Sequence, residues 1–192
     1  MTRALFIVDV QNDFTEHGAL GVVGGDEVAE RITRFLADHA DDYELVVASR
    51  DWHDADNDNG GHFSSEPDFI DTWPVHCVAG TRGAEYDDVF DPTSVSHHLK
   101  KGQGKPAYSL FEGVEDDGTT AAQLLDRHGI LDIDVVGLAT DYCVRASALD
   151  AIAHGRRVRV FTDLVAGVHP DSSERALAEI AHAGAELIES GA

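Results

Sequence analysis

Cys143 follows the run Val135-Val136-Gly137-Leu138-Ala139-Thr140, which reads as a buried strand passing through small residues into a helix. Its thiol is therefore expected just inside a helix start, beside backbone N–H groups without intrahelical partners and the positive end of the helix dipole. Both favour thiolate, the nucleophilic form. Asp9, near the end of the first apolar run, and Lys101, after the third, belong to the same sheet edge if the chain folds as a parallel sheet. Together the three suit nucleophilic acyl transfer. The thiolate attacks a carbonyl, the carboxylate moves the proton, Lys101 holds Asp9, and the N–H groups of Ala139 and Cys143 are candidates for an oxyanion hole. Singly, each has an ordinary reading: Asp9 as a turn cap, Lys101 as a solvated charge, Cys143 as a small core residue. The chain's three lysines, however, are Lys100, Lys101 and Lys105, in a protein that otherwise relies on arginine. No local signature of a papain-like pair surrounds Cys143.

A second constellation lies between the strands. Asp51 and His53 are two apart, so an extended backbone points both to one side and Trp52 to the other. His62 and His76 follow at loop distances. One carboxylate and three imidazoles suit one divalent metal ion such as Zn2+, Fe2+ or Mn2+. The other histidines read as surface or core residues, and Cys77 beside His76 reads as packing.

Positioning these groups requires a particular order of elements. Residues 3–10 form a nearly continuous apolar run, the pattern of a strand buried on both faces. Further strands are expected at 43–49, 95–100, 133–139 and 158–162, with an edge strand at 185–188. Helices are expected at 25–38, 119–128 and 141–154, and from about Asp171, where Glu174 would complete a capping box. This alternation predicts an α/β fold: one domain over residues 1–192, doubly wound, with a mainly parallel six-stranded sheet and helices on both faces. The polar stretch 51–92 is the expected metal- and substrate-binding region within it.

Composition narrows the partners. Fourteen basic against 36 acidic residues give a net charge of −22, spread along the chain. Such a surface repels nucleic acid and anionic membranes, and its scarcity of lysine has the look of adaptation to high salt. No apolar run approaches the ~20 residues of a membrane span, and the N-terminus lacks a signal-peptide layout. Two cysteines make no disulfide framework, so a reducing cytoplasm is the expected setting.

The chain resembles the nicotinamidase/pyrazinamidase family of the isochorismatase-like cysteine hydrolases. The likeness rests on Ile7-Val8-Asp9-Val10-Gln11-Asn12-Asp13-Phe14, Asp51-Trp52-His53, Gly61-His62-Phe63, Trp73-Pro74-Val75-His76-Cys77-Val78, Lys101-Gly102, Ala107-Tyr108-Ser109, the 137–144 segment and Thr162-Asp163-Leu164. The resemblance implies a catalytic triad of Asp9, Lys101 and Cys143, and metal ligands Asp51, His53, His62 and His76. It implies an oxyanion hole at Ala139 and Cys143, with a cis Leu138–Ala139 bond. Phe14, Trp73 and Tyr108 would wall a pyridine ring, and the first and fourth strands would lie side by side. The implied activity is hydrolysis of a small amide, nicotinamide, to nicotinate and ammonia through a cysteine thioester. Another hydrolase of the superfamily, or a non-catalytic binding module, is the alternative, and self-association into a homo-oligomer is left open. Two departures stand out. The 53–62 interval carries an acidic Asn/Asp/Gly insert, and position 142 is Tyr142 where members often carry histidine.

Overall fold

Side chains of the first strand, β1 (Arg3–Val8), serve two cores at once. Ala4, Phe6 and Val8 enter one buried cluster, Leu5 and Ile7 the other, and all five are fully buried. Successive side chains of a strand point to opposite faces, so a strand covered on both sides needs an unbroken apolar run. The structure, a computed structural model, describes residues 2–191. The other strands are β2 (Leu45–Asp51), β3 (His97–Lys101), β4 (Asp132–Leu138), β5 (Arg157–Ala166) and β6 (Glu186–Ile188). They form one parallel sheet in the order β3-β2-β1-β4-β5-β6. The α/β fold, its six strands and the β1–β4 adjacency are as expected.

Helix α1 (Gly25–His39) covers one face with Val28, Ile32, Phe35 and Leu36, joined there by Phe90 and Val95 from the long β2–β3 connection. Helices α2 (Ala121–Arg127), α3 (Arg145–Ala153) and α4 (Pro170–Ala183) cover the other. Chain direction across the sheet reverses between β1 and β4, and that switch point opens a crevice beyond the strand carboxyl ends. Among the described residues no helix is long and apolar enough to cross a membrane.

Several boundaries differ from the sequence reading for local reasons. Strand β1 stops at Val8 because Asp9 adopts a left-handed backbone, φ 49°. Lys101 is the last residue of β3 rather than just past it, and its register partner is Asp51. The expected helix at 141–154 opens as a wide π turn, Thr140–Val144, before α3 begins. The capping box at Asp171 and Glu174 does not form, because Pro170 starts α4 and places Asp171 inside it. Asp141 serves that end instead: its carboxylate accepts from the Val168 N–H at 2.9 Å and the Ser172 hydroxyl at 2.6 Å.

Candidate active site

Asp9, Lys101 and Cys143 arrive from the ends of β1, β3 and β4 and meet in the interior. Lys101 Nζ lies 2.9 Å from Asp9 Oδ2 and 3.7 Å from Cys143 Sγ. The ammonium and the Asp9 carboxylate are fully buried, and the thiol is only 7% exposed. Asp9 Oδ1 accepts from the Ser49 hydroxyl at 2.7 Å, whereas Oδ2, close as it is to Nζ, has no well-aligned donor. That leaves one carboxylate oxygen able to take a proton.

The electrostatics follow from this crowding. Burial raises the Asp9 carboxyl, against the pull of Lys101. Burial works against the charge on Lys101, but Asp51 and Asp9 beside it outweigh that and hold the ammonium well above its usual range. Burial also pushes the Cys143 thiol well up; Lys101 opposes this, and Asp9 and Asp51 reinforce it. The expectation of a thiolate at a helix start is therefore corrected. Desolvation and two carboxylates act against the thiolate that the helix start was expected to favour, and Lys101 is the group that supports it.

On the far side of Lys101 stand the other predicted residues. Ring nitrogens of His53, His62 and His76 lie within 4.8 Å of one another, all buried. Asp51 divides its carboxylate: Oδ1 pairs with Lys101 Nζ, and Oδ2 lies 3.7 Å from His53 Nε2 and 3.8 Å from His76 Nε2. His53 Nδ1 donates to the Gly102 carbonyl and His76 Nδ1 to that of Pro74, both at 2.8 Å. These bonds fix the tautomers and leave each Nε2 lone pair facing inward, as metal-ligating histidines are held. His53 Nε2 and His62 Nδ1 are buried without a hydrogen-bond partner. Buried polar atoms rarely go unpaired, so orphaned nitrogens within a ring of donors fit a divalent cation. Burial and the neighbouring His53 and His76 lower the His62 pKa to about 4, and burial lowers His76. Burial favours the neutral form of Asp51, but Lys101 and His53 hold it below the usual carboxylate range.

The position after Lys101 requires glycine. Gly102 has φ +85°, and a Cβ there would come within 2.5 Å of the His53 ring, so only glycine lets its carbonyl seat that ring. The acidic insert is tied down by Asn59, whose Oδ1 accepts from the Asp54 N–H at 2.8 Å and the Gly104 N–H at 3.1 Å. His62, just past the insert, lies in the imidazole cluster.

Cys143, Asp51, His62 and His76 open into one cavity of about 520 Å³, lined also by Phe14, Trp73, Tyr108, Ala139 and Tyr142, with His53 buried behind them. Trp73 Nε1 donates to the Tyr108 hydroxyl at 3.0 Å, and the Trp73 ring meets Tyr142 edge to face at 5.0 Å. Tyr142 thus forms part of the aromatic wall. The Leu138–Ala139 bond is cis. Every predicted site residue therefore falls within one region. Missed from the sequence were Ser49, on Asp9, and Gln11, which bonds the Asp51 N–H at 2.8 Å and the Asp51 carbonyl at 2.9 Å. A lone hydroxyl next to the apolar run 45–48 was the available signal for Ser49; for Gln11 there was none beyond its place in a motif.

Residues 3–192 match the family model of the isochorismatase domain. The nicotinamidase/pyrazinamidase of Mycobacterium tuberculosis is 47% identical over 97% of this chain and 98% of its own. Among solved structures, the pyrazinamidase of Pyrococcus horikoshii in complex with zinc superposes with a TM-score of 0.83 at 36% identity, covering 98% of this chain and 99% of that one. A protein of L. infantum in complex with nicotinate gives a TM-score of 0.85 at 32% identity, covering 98% and 93%.

Proposed function

From the premise that the chain belongs to the isochorismatase family, we propose that it hydrolyses nicotinamide to nicotinate and ammonia, with Asp9, Lys101 and Cys143 as the catalytic residues. The observation that carries this is the Lys101 ammonium, which pairs with Asp9 and Asp51 and lies 3.7 Å from the Cys143 sulfur. It stands between a nucleophile and an imidazole cluster that, through Cys143, His62 and His76, reach one aromatic-walled cavity. Such walls suit a flat, neutral heteroaromatic ring.

Asp9 takes the Cys143 proton as the sulfur attacks the carboxamide carbon, so no standing thiolate is needed. The N–H groups of Ala139 and Cys143 stabilise the oxyanion. Asp9 then passes its proton to the departing ammonia, leaving a thioester. A water deprotonated by Asp9 attacks the thioester, releasing nicotinate, and the proton returns to the sulfur. Lys101 stays charged throughout and holds the Asp9 carboxylate in register. Asp51, His53, His62 and His76 would hold a divalent metal, of which Zn2+, Fe2+ and Mn2+ suit the donor set, and it would supply a Lewis-acid anchor for the pyridine nitrogen. Phe14, Trp73 and Tyr108 enclose the ring. The whole chain acts as a single domain, with 51–92 as its metal- and substrate-binding region. Two buried free cysteines and a strongly acidic surface fit a reducing cytoplasm.

The test is ammonia release from nicotinamide by the protein as purified, after chelation, and after readdition of each ion, with metal content measured on the same samples. Loss on chelation and recovery with metal are expected. Full turnover after complete metal removal refutes the metal-assisted reading, and turnover confined to other amides refutes the substrate.

A further inference from the structure

Asp13 has no part in the chemistry above, yet its carboxylate reaches the backbone that joins two of the imidazoles. Oδ2 accepts from the Cys77 N–H at 2.6 Å, and Oδ1 from the Ala19 N–H at 3.3 Å. Cys77 directly follows His76, and its carbonyl accepts the His53 N–H at 2.9 Å. One residue therefore links the backbones of both histidines. Its conformation is left-handed, φ 44°, which a residue with a Cβ adopts only at some cost. Such a turn needs an outside hold, and the short bond from its N–H to Asp13 Oδ2 provides one. Gly83 makes room for it: a Cβ at that position would lie 2.1 Å from Asp13 Oδ2, and the Gly83 carbonyl accepts the Asp13 N–H at 3.1 Å.

We propose that Asp13 is a positioning residue for the metal site. Its carboxylate, seated against Gly83, fixes the Cys77 backbone and so sets how His76 and His53 face one another. This rests on reading Asp51, His53, His62 and His76 as metal ligands. It is tested by titrating Zn2+ into chelator-stripped protein against a chromogenic chelator, for wild type, Asp13→Ala, Asp13→Asn and Gly83→Ala, with thermal unfolding of the metal-free proteins alongside. Asp13→Ala is expected to weaken Zn2+ binding about 10–100-fold, the range for a lost outer-shell partner. Asp13→Asn, whose amide oxygen still accepts from the Cys77 N–H, recovers most of that loss. Gly83→Ala, which displaces the carboxylate without removing it, falls between them. Wild-type affinity in a folded Asp13→Ala protein overturns the proposal; if that variant does not fold, unchanged affinity in Gly83→Ala does so. Equal loss in Asp13→Ala and Asp13→Asn also overturns it, since that is the mark of general destabilisation. Wild-type protein that binds no Zn2+ overturns the metal reading and the positioning role together, whereas Zn2+ binding by wild type with Asp13→Ala unaffected overturns the positioning role alone.

Discussion

Cys143 and Cys77 are both free and both buried, yet their surroundings give them different chemistry. Burial raises both thiols well above the ordinary value. At Cys143 the largest opposing influence is Lys101, 3.7 Å away, and the sulfur lines the cavity. At Cys77 the carboxylates of Asp51, Asp13 and Asp9 all act before Lys101 does. Its sulfur is turned toward the Gly83 carbonyl, 3.8 Å away, and it does not line the cavity. A depressed resting pKa is thus not what distinguishes the nucleophile here. Access, a proton acceptor and a nearby cation do so, and Cys77 contributes its backbone instead.

The contrast is most easily broken by removing each sulfur in turn. Cys143→Ala should lower ammonia release by at least about 10⁴-fold with the unfolding temperature little changed, as when a nucleophile is removed from a concerted set. Cys77→Ala should keep most of the turnover, and an equally dead Cys77→Ala protein that still binds metal would erase the distinction. Asp9→Asn comes next. It keeps the side-chain shape but removes the proton acceptor, and kcat should drop about 10²–10⁴-fold, the usual range for general acid–base catalysis. Near-normal kcat would mean that Cys143 reacts as a preformed thiolate.

Gly102→Ala probes the residue that follows the distinguishing cation. The added methyl would press on the His53 ring, and Zn2+ affinity measured by chelator competition should fall about 10–100-fold. Retained affinity would show that the ring can shift without cost. The smallest effect concerns His62. Its folded pKa of about 4 lies below the ordinary 6.5, so the folded state resists protonation. The resulting stability is complete above pH 6.5 and is lost as the pH falls through 4. In chelator-stripped protein the unfolding temperature should decline across that window, and His62→Gln should flatten the decline. An unchanged slope would place the acid sensitivity elsewhere.

Much of this architecture is legible in the residues. The unbroken apolar run ending at Val8 announces a strand buried on both faces, and the i, i+4 spacing of Val28, Ile32 and Leu36 announces the helix that covers one of them. The Asp51 and His53 pair, two apart, announces ligands on one side of an extended segment. Local pattern was a poorer guide where a distant group took over a local role. Asp141 serves the start of α4 in place of the capping box expected at Asp171, and the wide turn at Thr140–Val144 replaces the first turn of a regular helix.

The sequence by itself determined which chemical groups stand at the ends of which strands, because strand periodicity and element order depend on neighbours along the chain. Only the tertiary structure decided which of those charges touch. Parallel register sets Asp51 beside Lys101, and the β1–β4 switch point brings Asp9 and Cys143 to the same ammonium. A one-residue slip would send each side chain to the opposite face. The influences on the thiol's pKa were decided there too, since they come from burial, Lys101 and carboxylates far away in sequence.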